Sequence, residues 1–67
     1  MNTEHYPDFN HEETYKGYTL YVENNADQHI GGYEYCVTND SGIIEEGLEF
    51  DAQVAVQKAR DYVNSLS

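Results

Sequence analysis

The clearest hydrophobic pattern lies in the C-terminal segment, residues 51–67. Its apolar residues recur at steps of three and four, which places them on one face of an amphipathic helix: Ala52, Ala55, Val56, Ala59, Tyr62, Val63 and Leu66. Asp51 precedes this run, and its carboxylate can accept hydrogen bonds from the free N–H groups of a first helical turn. The alanines of this face allow close approach, so we predict a helix that begins after Asp51 and packs against a sheet.

Strand patterns occupy the chain before this helix. The first alternates apolar and polar positions, with Tyr18, Leu20 and Val22 on one side. The polar residues 24–31 predict a loop, and the sequence Asn39–Gly42 predicts a type I turn whose glycine takes a positive φ. We therefore predict three strands: Tyr15–Glu23, Gly32–Thr38 and Ile43–Phe50.

The register of the third strand is left open by its sequence. Its apolar residues share a face with Glu46: Ile44, Leu48 and Phe50. Two arrangements bring them onto the face of the upstream tyrosines. The turn is one residue longer and pairs Val37 with Ile44, or a bulge at Gly47 resets the register. We favour the longer turn, which leaves Glu46 near the margin of the sheet.

These elements predict an α+β fold, a three-stranded antiparallel meander with one C-terminal helix packed on one face (β-β-β-α). Residues 15–67 form this single domain. Residues 1–14 are polar and show no period, so we predict a flexible acidic arm with Tyr6 and Phe9 as its apolar anchors. The predicted core consists of Tyr18, Leu20, Val22, Tyr35, Val37, Ile44, Leu48, Phe50, Ala55, Ala59, Tyr62, Val63 and Leu66.

One helix covers only one face of such a sheet, so we predict that the other face is open. Apolar side chains among carboxylates on an open face favour a docking or dimer surface. The alternative is a half-solvated antiparallel sheet that needs no partner. The residues predicted on the open face are Thr19, Tyr21, Glu34, Cys36, Thr38, Ile43 and Glu45.

Charge narrows the choice of partner. Thirteen acidic residues face three basic ones, for a net charge of −10. Residues 1–14 contain no base, residues 15–50 contain only Lys16, and the helical segment is balanced. The electrostatic field of so acidic a protein repels DNA, RNA and anionic membranes and attracts basic proteins. The alternative is that the acidity serves solubility alone.

Catalysis, cofactors and export are not indicated. Cys36 is the single cysteine, which fits a reducing compartment, and no signal peptide or membrane span is visible, so we predict a cytoplasmic protein. Cys36 and His29 have no orienting third group, and His5 and His11 match no established metal-ligand spacing. We therefore predict no enzyme activity, no cofactor and no metal.

The predicted function is binding through carboxylates. Glu45 and Glu49 share one side of their strand, and with Glu34 on the neighbouring strand they predict a negative stripe. We predict that the sheet occupies a basic surface on a nucleic-acid-handling protein and binds no nucleic acid itself. The alternative is a structural or accessory domain that forms a homodimer through the open face. The predicted partner-binding residues are Tyr21 as an aromatic anchor and Glu23, Glu34, Glu45, Glu46 and Glu49.

The segment from Tyr18 to Leu66 combines a strand with Leu20, Val22 and Glu23, the Gly31-Gly32-Tyr33 loop end, a strand to Val37, a third strand with Gly42 and Gly47, and a helix with Ala55 and Ala59. In this order and spacing it resembles the N-terminal domain of HicB-type antitoxins. The proline and glycine signature of that family is replaced here by Asn39–Gly42. The resemblance implies a protein that covers a basic, RNA-cutting toxin. The size, acidity and layout are also similar to small phage or mobile-element inhibitors, such as anti-CRISPR proteins and DNA mimics.

Overall fold

The computed structural model describes residues 6–66. Its elements are the strands β1 (Asn10–Tyr15), β2 (Tyr18–Asn24), β3 (Tyr33–Asn39) and β4 (Gly42–Glu49) and the helix α1 (Ala52–Ser65). The strands form one antiparallel sheet in the order β1-β2-β3-β4, and α1 packs across one face, mainly over β2 and β3. The α+β class and the C-terminal helix are confirmed, but the sheet has four strands rather than the three predicted.

The additional strand, β1, lies where the sequence analysis placed the end of an acidic arm. The predicted first strand is interrupted by a two-residue turn at Lys16 and Gly17, whose φ values are 53° and 88°. Two positive φ values are characteristic of the type I′ turn, whose twist suits a tight hairpin. The chain therefore folds back, and β1 pairs with β2 from Asn10↔Glu23 to Tyr15↔Tyr18. Residues 1–5 of the predicted arm lie outside the described residues.

The helix-facing side of β1 is polar, which hid the strand in the hydrophobic pattern. Its side chains on that side are His11, Glu13 and Tyr15, all half-buried. Glu13 accepts two hydrogen bonds from the Arg60 guanidinium of α1, at 3.0 Å and 2.7 Å, and a third contact from His11. These partners satisfy the carboxylate, so a strand with little apolar content can close this edge of the sheet.

The core lies between α1 and the two central strands. It consists of two buried clusters, one of Leu20, Val37, Ala59 and Val63 and one of Val22, Tyr33, Ala55 and Val56. Four further residues of the predicted core are only partly buried and pack against the first cluster: Tyr18, Tyr35, Ile44 and Tyr62. Three predicted core residues are exposed instead, Leu48 at 36%, Phe50 at 54% and Leu66 at 46%.

The register of β4 explains why Leu48 was placed wrongly. The turn after β3 is short, because Asn39 pairs with Gly42. The pairing then shifts between Thr38 and Val37, which leaves Ile44 as the extra residue of a β-bulge. The longer turn and the bulge at Gly47 are therefore both wrong. Beyond the bulge the pairs are Val37↔Glu45, Cys36↔Glu46, Tyr35↔Gly47, Glu34↔Leu48 and Tyr33↔Glu49.

The bulge is held by contacts on the helix side. Ile44 packs against the first core cluster, and its carbonyl oxygen accepts a hydrogen bond from the Tyr62 hydroxyl at 3.5 Å. The Tyr35 ring lies over Gly47, where any Cβ would collide with it. The absence of a side chain at Gly47 therefore leaves room for the Tyr35 ring, which packs against both core clusters.

The start of α1 is as predicted. The Asp51 carboxylate accepts from the backbone N–H groups of Gln53 and Val54, at 2.9 Å and 3.1 Å. Within residues 6–66, no helix has the length and apolar character needed to cross a membrane.

Candidate protein-binding face

The face of the sheet opposite α1 carries side chains in three rows. In an antiparallel sheet, directly paired residues point to the same side. The pairings across the four strands give the rows Asn10–Glu23–Glu34–Leu48, Glu12–Tyr21–Cys36–Glu46 and Thr14–Thr19–Thr38–Ile43. We call these rows together the open face.

No position in the rows of the open face is basic. The rows contain four carboxylates, those of Glu12, Glu23, Glu34 and Glu46. All four are exposed. The bases of the chain lie elsewhere, with Lys16 in the β1–β2 turn and Lys58 and Arg60 on α1. The electrostatic field over the open face is therefore uniformly negative.

A groove crosses two of the rows. Its volume is about 440 Å³, and its walls include residues from β2, β3 and β4. Tyr21 is 38% exposed here, and Ile43 at 59% continues the apolar surface towards the threonine row. We call six of its lining residues the acidic groove: Tyr21, Glu23, Glu34, Cys36, Glu46 and Leu48.

The thiol of Cys36 responds to the charges of the groove. Burial raises the pKa of Cys36, and the carboxylates of Glu46, Glu23 and Glu34 raise it further. Acidic residues from β2, β3 and β4 therefore all lie close enough to Cys36 to affect its pKa. A thiol with a raised pKa stays protonated and is a weak nucleophile.

Two of the predicted site residues are not on this face. Tyr21, Glu23, Glu34 and Glu46 lie together in the acidic groove, whereas Glu45 and Glu49 lie on the helix side of β4. The pKa of Tyr35 agrees with this placement, since burial raises it first and the charges of Glu45 and Glu49 raise it further. The predicted stripe that joined these two acids to Glu34 is therefore wrong, because the bulge at Ile44 exchanges the two sides of β4.

Glu12 and Leu48 belong to the open face and were missed as site residues. The signal for Glu12 was the alternation of β1, in which His11, Glu13 and Tyr15 point inward and Glu12 points outward. Recognising the Lys16–Gly17 turn would have revealed this alternation. Leu48 could not be assigned without the bulge, which is fixed by contacts between β4 and α1.

Glu23 and Glu34 form an unusual pair on the two central strands of the open face. They are directly opposed on β2 and β3. The ion pairs among the described residues join Glu13 to His11 and to Arg60, and none reaches either of these two acids. Directly opposed like charges destabilise a sheet. We therefore expect a repulsion between Glu23 and Glu34 in the free protein.

Comparison with known proteins gives no further assignment. No family model, no curated protein and no solved structure matches the chain. The resemblances to HicB-type domains and to phage inhibitors stay predictions. Within residues 6–66, no three His, Cys, Asp or Glu side chains are grouped so as to hold a metal ion.

Proposed function

We propose that this protein is a non-enzymatic, cytoplasmic inhibitor that covers the basic, nucleic-acid-binding surface of a partner protein. The observation that carries the proposal is the open face itself, which has four carboxylates and no base in its rows. Three of these carboxylates line a groove that contains an exposed tyrosine. An antitoxin and an inhibitor from a phage or mobile element would both use such a face in this way.

The charge selects the class of partner. A face whose only charged groups are carboxylates repels phosphate backbones and anionic lipids, so neither nucleic acid nor a membrane is its ligand. A protein surface rich in lysine and arginine is attracted to it, and such attraction accelerates association and weakens with salt. Tyr21 and Leu48 supply the apolar centre that a specific interface requires.

Self-association through the same face is the second candidate. It is favoured by the exposed apolar side chains of Tyr21, Ile43 and Leu48. Stacking two copies face to face would, however, bring their carboxylates together with no base between them. This repulsion favours a basic partner over a second copy.

The test is an affinity capture from host lysate with two matched double variants. The groove variant is Glu23→Gln with Glu34→Gln, and the control variant is Glu45→Gln with Glu49→Gln, which changes the net charge equally on the helix side. We expect wild type and control to retain a basic protein at low salt and release it at high salt, and the groove variant to lose it. The captured protein should release its nucleic acid when the wild type is added.

Two results would contradict the proposal. Equal loss of the captured protein from both variants would show that net charge, rather than the open face, is responsible. A captured protein that keeps its nucleic acid bound in the presence of excess wild type would show that the two do not share a surface.

A further inference from the structure

The opposed pair Glu23 and Glu34 indicates what the acidic groove binds. Both side chains are exposed and lie on neighbouring strands, while Tyr21 and Cys36 form the adjacent pair of the next row. A repulsion of this kind weakens the free protein. A cation placed between the two carboxylates would remove this repulsion. The groove should therefore bind a cationic ligand more strongly than an isolated carboxylate does.

We propose that the acidic groove is a receptor for an arginine side chain of the partner protein, an inference that rests on the proposed function. The guanidinium lies between Glu23 and Glu34, and one of its faces stacks on the Tyr21 ring. The aliphatic stem lies along Leu48 and Cys36, which supply the apolar part of the groove.

The chemistry of the groove distinguishes arginine from lysine. A guanidinium is planar and presents several N–H donors, so it can serve two carboxylates at once while it stacks on an aromatic ring. It is also more weakly hydrated than an ammonium ion and is therefore less costly to move into a half-closed groove. The ammonium group of lysine is compact and has no planar face, so it cannot stack on the Tyr21 ring as a guanidinium does.

The experiment compares two blocked peptides, Gly-Arg-Gly-Arg-Gly and Gly-Lys-Gly-Lys-Gly, which have the same length and charge. Each is titrated into isotope-labelled wild-type protein at constant ionic strength, and backbone amide shifts are followed by NMR. We expect saturable shifts at Tyr21, Glu34, Cys36 and Leu48, with the arginine peptide binding at least about fivefold more tightly than the lysine peptide.

Two variants locate the effect. Glu34→Gln should lose the preference for arginine and should unfold at the same or a higher denaturant concentration than wild type, because it relieves the repulsion with Glu23. A loss of binding in a variant that is at least as stable excludes misfolding as the cause. Glu45→Gln removes the same charge on the helix side and should keep the preference.

The outcomes separate this inference from the proposed function. Equal affinity for the two peptides, with shifts confined to the groove and abolished by Glu34→Gln, would overturn the arginine receptor and leave the basic-partner proposal standing. Shifts spread over all acidic positions, or the same loss in Glu34→Gln and Glu45→Gln, would overturn both.

Discussion

Individual residues stabilise the edge of this sheet through charge rather than apolar contact. Hydrogen bonds from Arg60 and then from His11 lower the pKa of Glu13 from its ordinary value of 4.5 to about 2, although burial acts in the opposite direction. The folded state therefore holds the proton of Glu13 more weakly than the unfolded chain does. The contribution of this group to stability is complete above its unfolded pKa and is lost as the pH falls towards 2.

Glu13→Gln should therefore destabilise the protein in a pH-dependent manner. We expect a loss of about 1 kcal/mol in the free energy of unfolding at pH 7, since Arg60 is partly exposed and solvent screens the pair. The loss should shrink as the pH falls from 5 to 2, measured by urea denaturation at each pH. The control is Glu12→Gln on the other side of the same strand, which should show no such loss. A pH-independent difference for Glu13→Gln would contradict the assignment.

Two glycines with nearly the same φ angle allow the cost of backbone strain to be distinguished from the cost of a steric clash. Gly17 and Gly32 have φ values of +88° and +87°. A Cβ at Gly17 would meet nothing within 4 Å, whereas one at Gly32 would lie 2.9 Å from the Glu49 carbonyl oxygen and 2.9 Å from the Phe50 ring. The first substitution therefore incurs only the cost of a positive φ, and the second adds a collision with backbone.

Gly17→Ala should thus cost about 1 kcal/mol in the free energy of unfolding, and Gly32→Ala about 2–4 kcal/mol. Chemical denaturation of the two variants measures the difference directly. Equal losses would mean that the loop end at Gly32 moves away from Phe50 without resistance.

Among the secondary-structure elements, the helix could be predicted from neighbouring residues, whereas the extent and register of the strands depend on contacts between residues distant in sequence. The period of α1 and the cap at Asp51 are encoded within consecutive residues, and the structure confirms both. β1 was missed because its inward positions are polar, and the Arg60 guanidinium that pairs with Glu13 among them lies far along the chain.

The same reasoning explains how much of the candidate site was predictable. Tyr21, Glu23 and Glu34 follow from simple alternation in β2 and β3, and the structure places them together. The sides taken by the acids of β4 depend on a one-residue bulge, which is stabilised by Tyr62 and by the Tyr35 ring over Gly47. No local pattern reports those contacts, so Glu45 and Glu49 were assigned to the wrong side.

The segment before β1, residues 6–9, is attached to the sheet chiefly by the Asn24 side chain of β2 and by Tyr33 of β3. The Asn24 carbonyl oxygen accepts from the Phe9 backbone N–H at 2.8 Å, and its amide group donates to the carbonyl oxygens of Tyr6 and Pro7 at 3.3 Å and 3.2 Å. Residues 6–9 have no strand pairing of their own. Asn24 therefore provides three hydrogen bonds that attach them to the sheet, and the Tyr33 hydroxyl of β3 donates another to the Pro7 carbonyl oxygen at 2.9 Å.

Asn24→Ala should accelerate hydrogen exchange at the Phe9 amide about fivefold, which corresponds to one hydrogen bond of about 1 kcal/mol. Asn24→Asp keeps the acceptor and should preserve most of the protection at Phe9. The amide of Val37 in the central strand serves as an internal reference and should exchange at an unchanged rate in both variants. Unaltered exchange at Phe9 in Asn24→Ala would show that other contacts hold this segment.

In the whole molecule, acidic residues lie on both sides of the sheet, whereas the basic residues lie away from the open face. The open face is acidic, and the bases lie in the β1–β2 turn and on α1. If solubility were the only role of the acidity, the position of the carboxylates would matter little. The open face, however, combines its carboxylates with the exposed apolar side chains of Tyr21, Ile43 and Leu48. We therefore expect its charges also to oppose self-association through that apolar surface.

Two triple variants of equal net charge should thus behave differently. Glu23→Gln, Glu34→Gln and Glu46→Gln remove repulsion from the open face, and we expect this protein to form dimers at high micromolar concentration by light scattering. In the control, Glu45→Gln and Glu49→Gln lie on the helix side and Asp40→Asn in the β3–β4 turn, so we expect it to stay monomeric with wild type. Dimers in both variants would assign the acidity to solubility alone. Monomers in both would show that the apolar side chains of the open face do not associate when their charge barrier is removed.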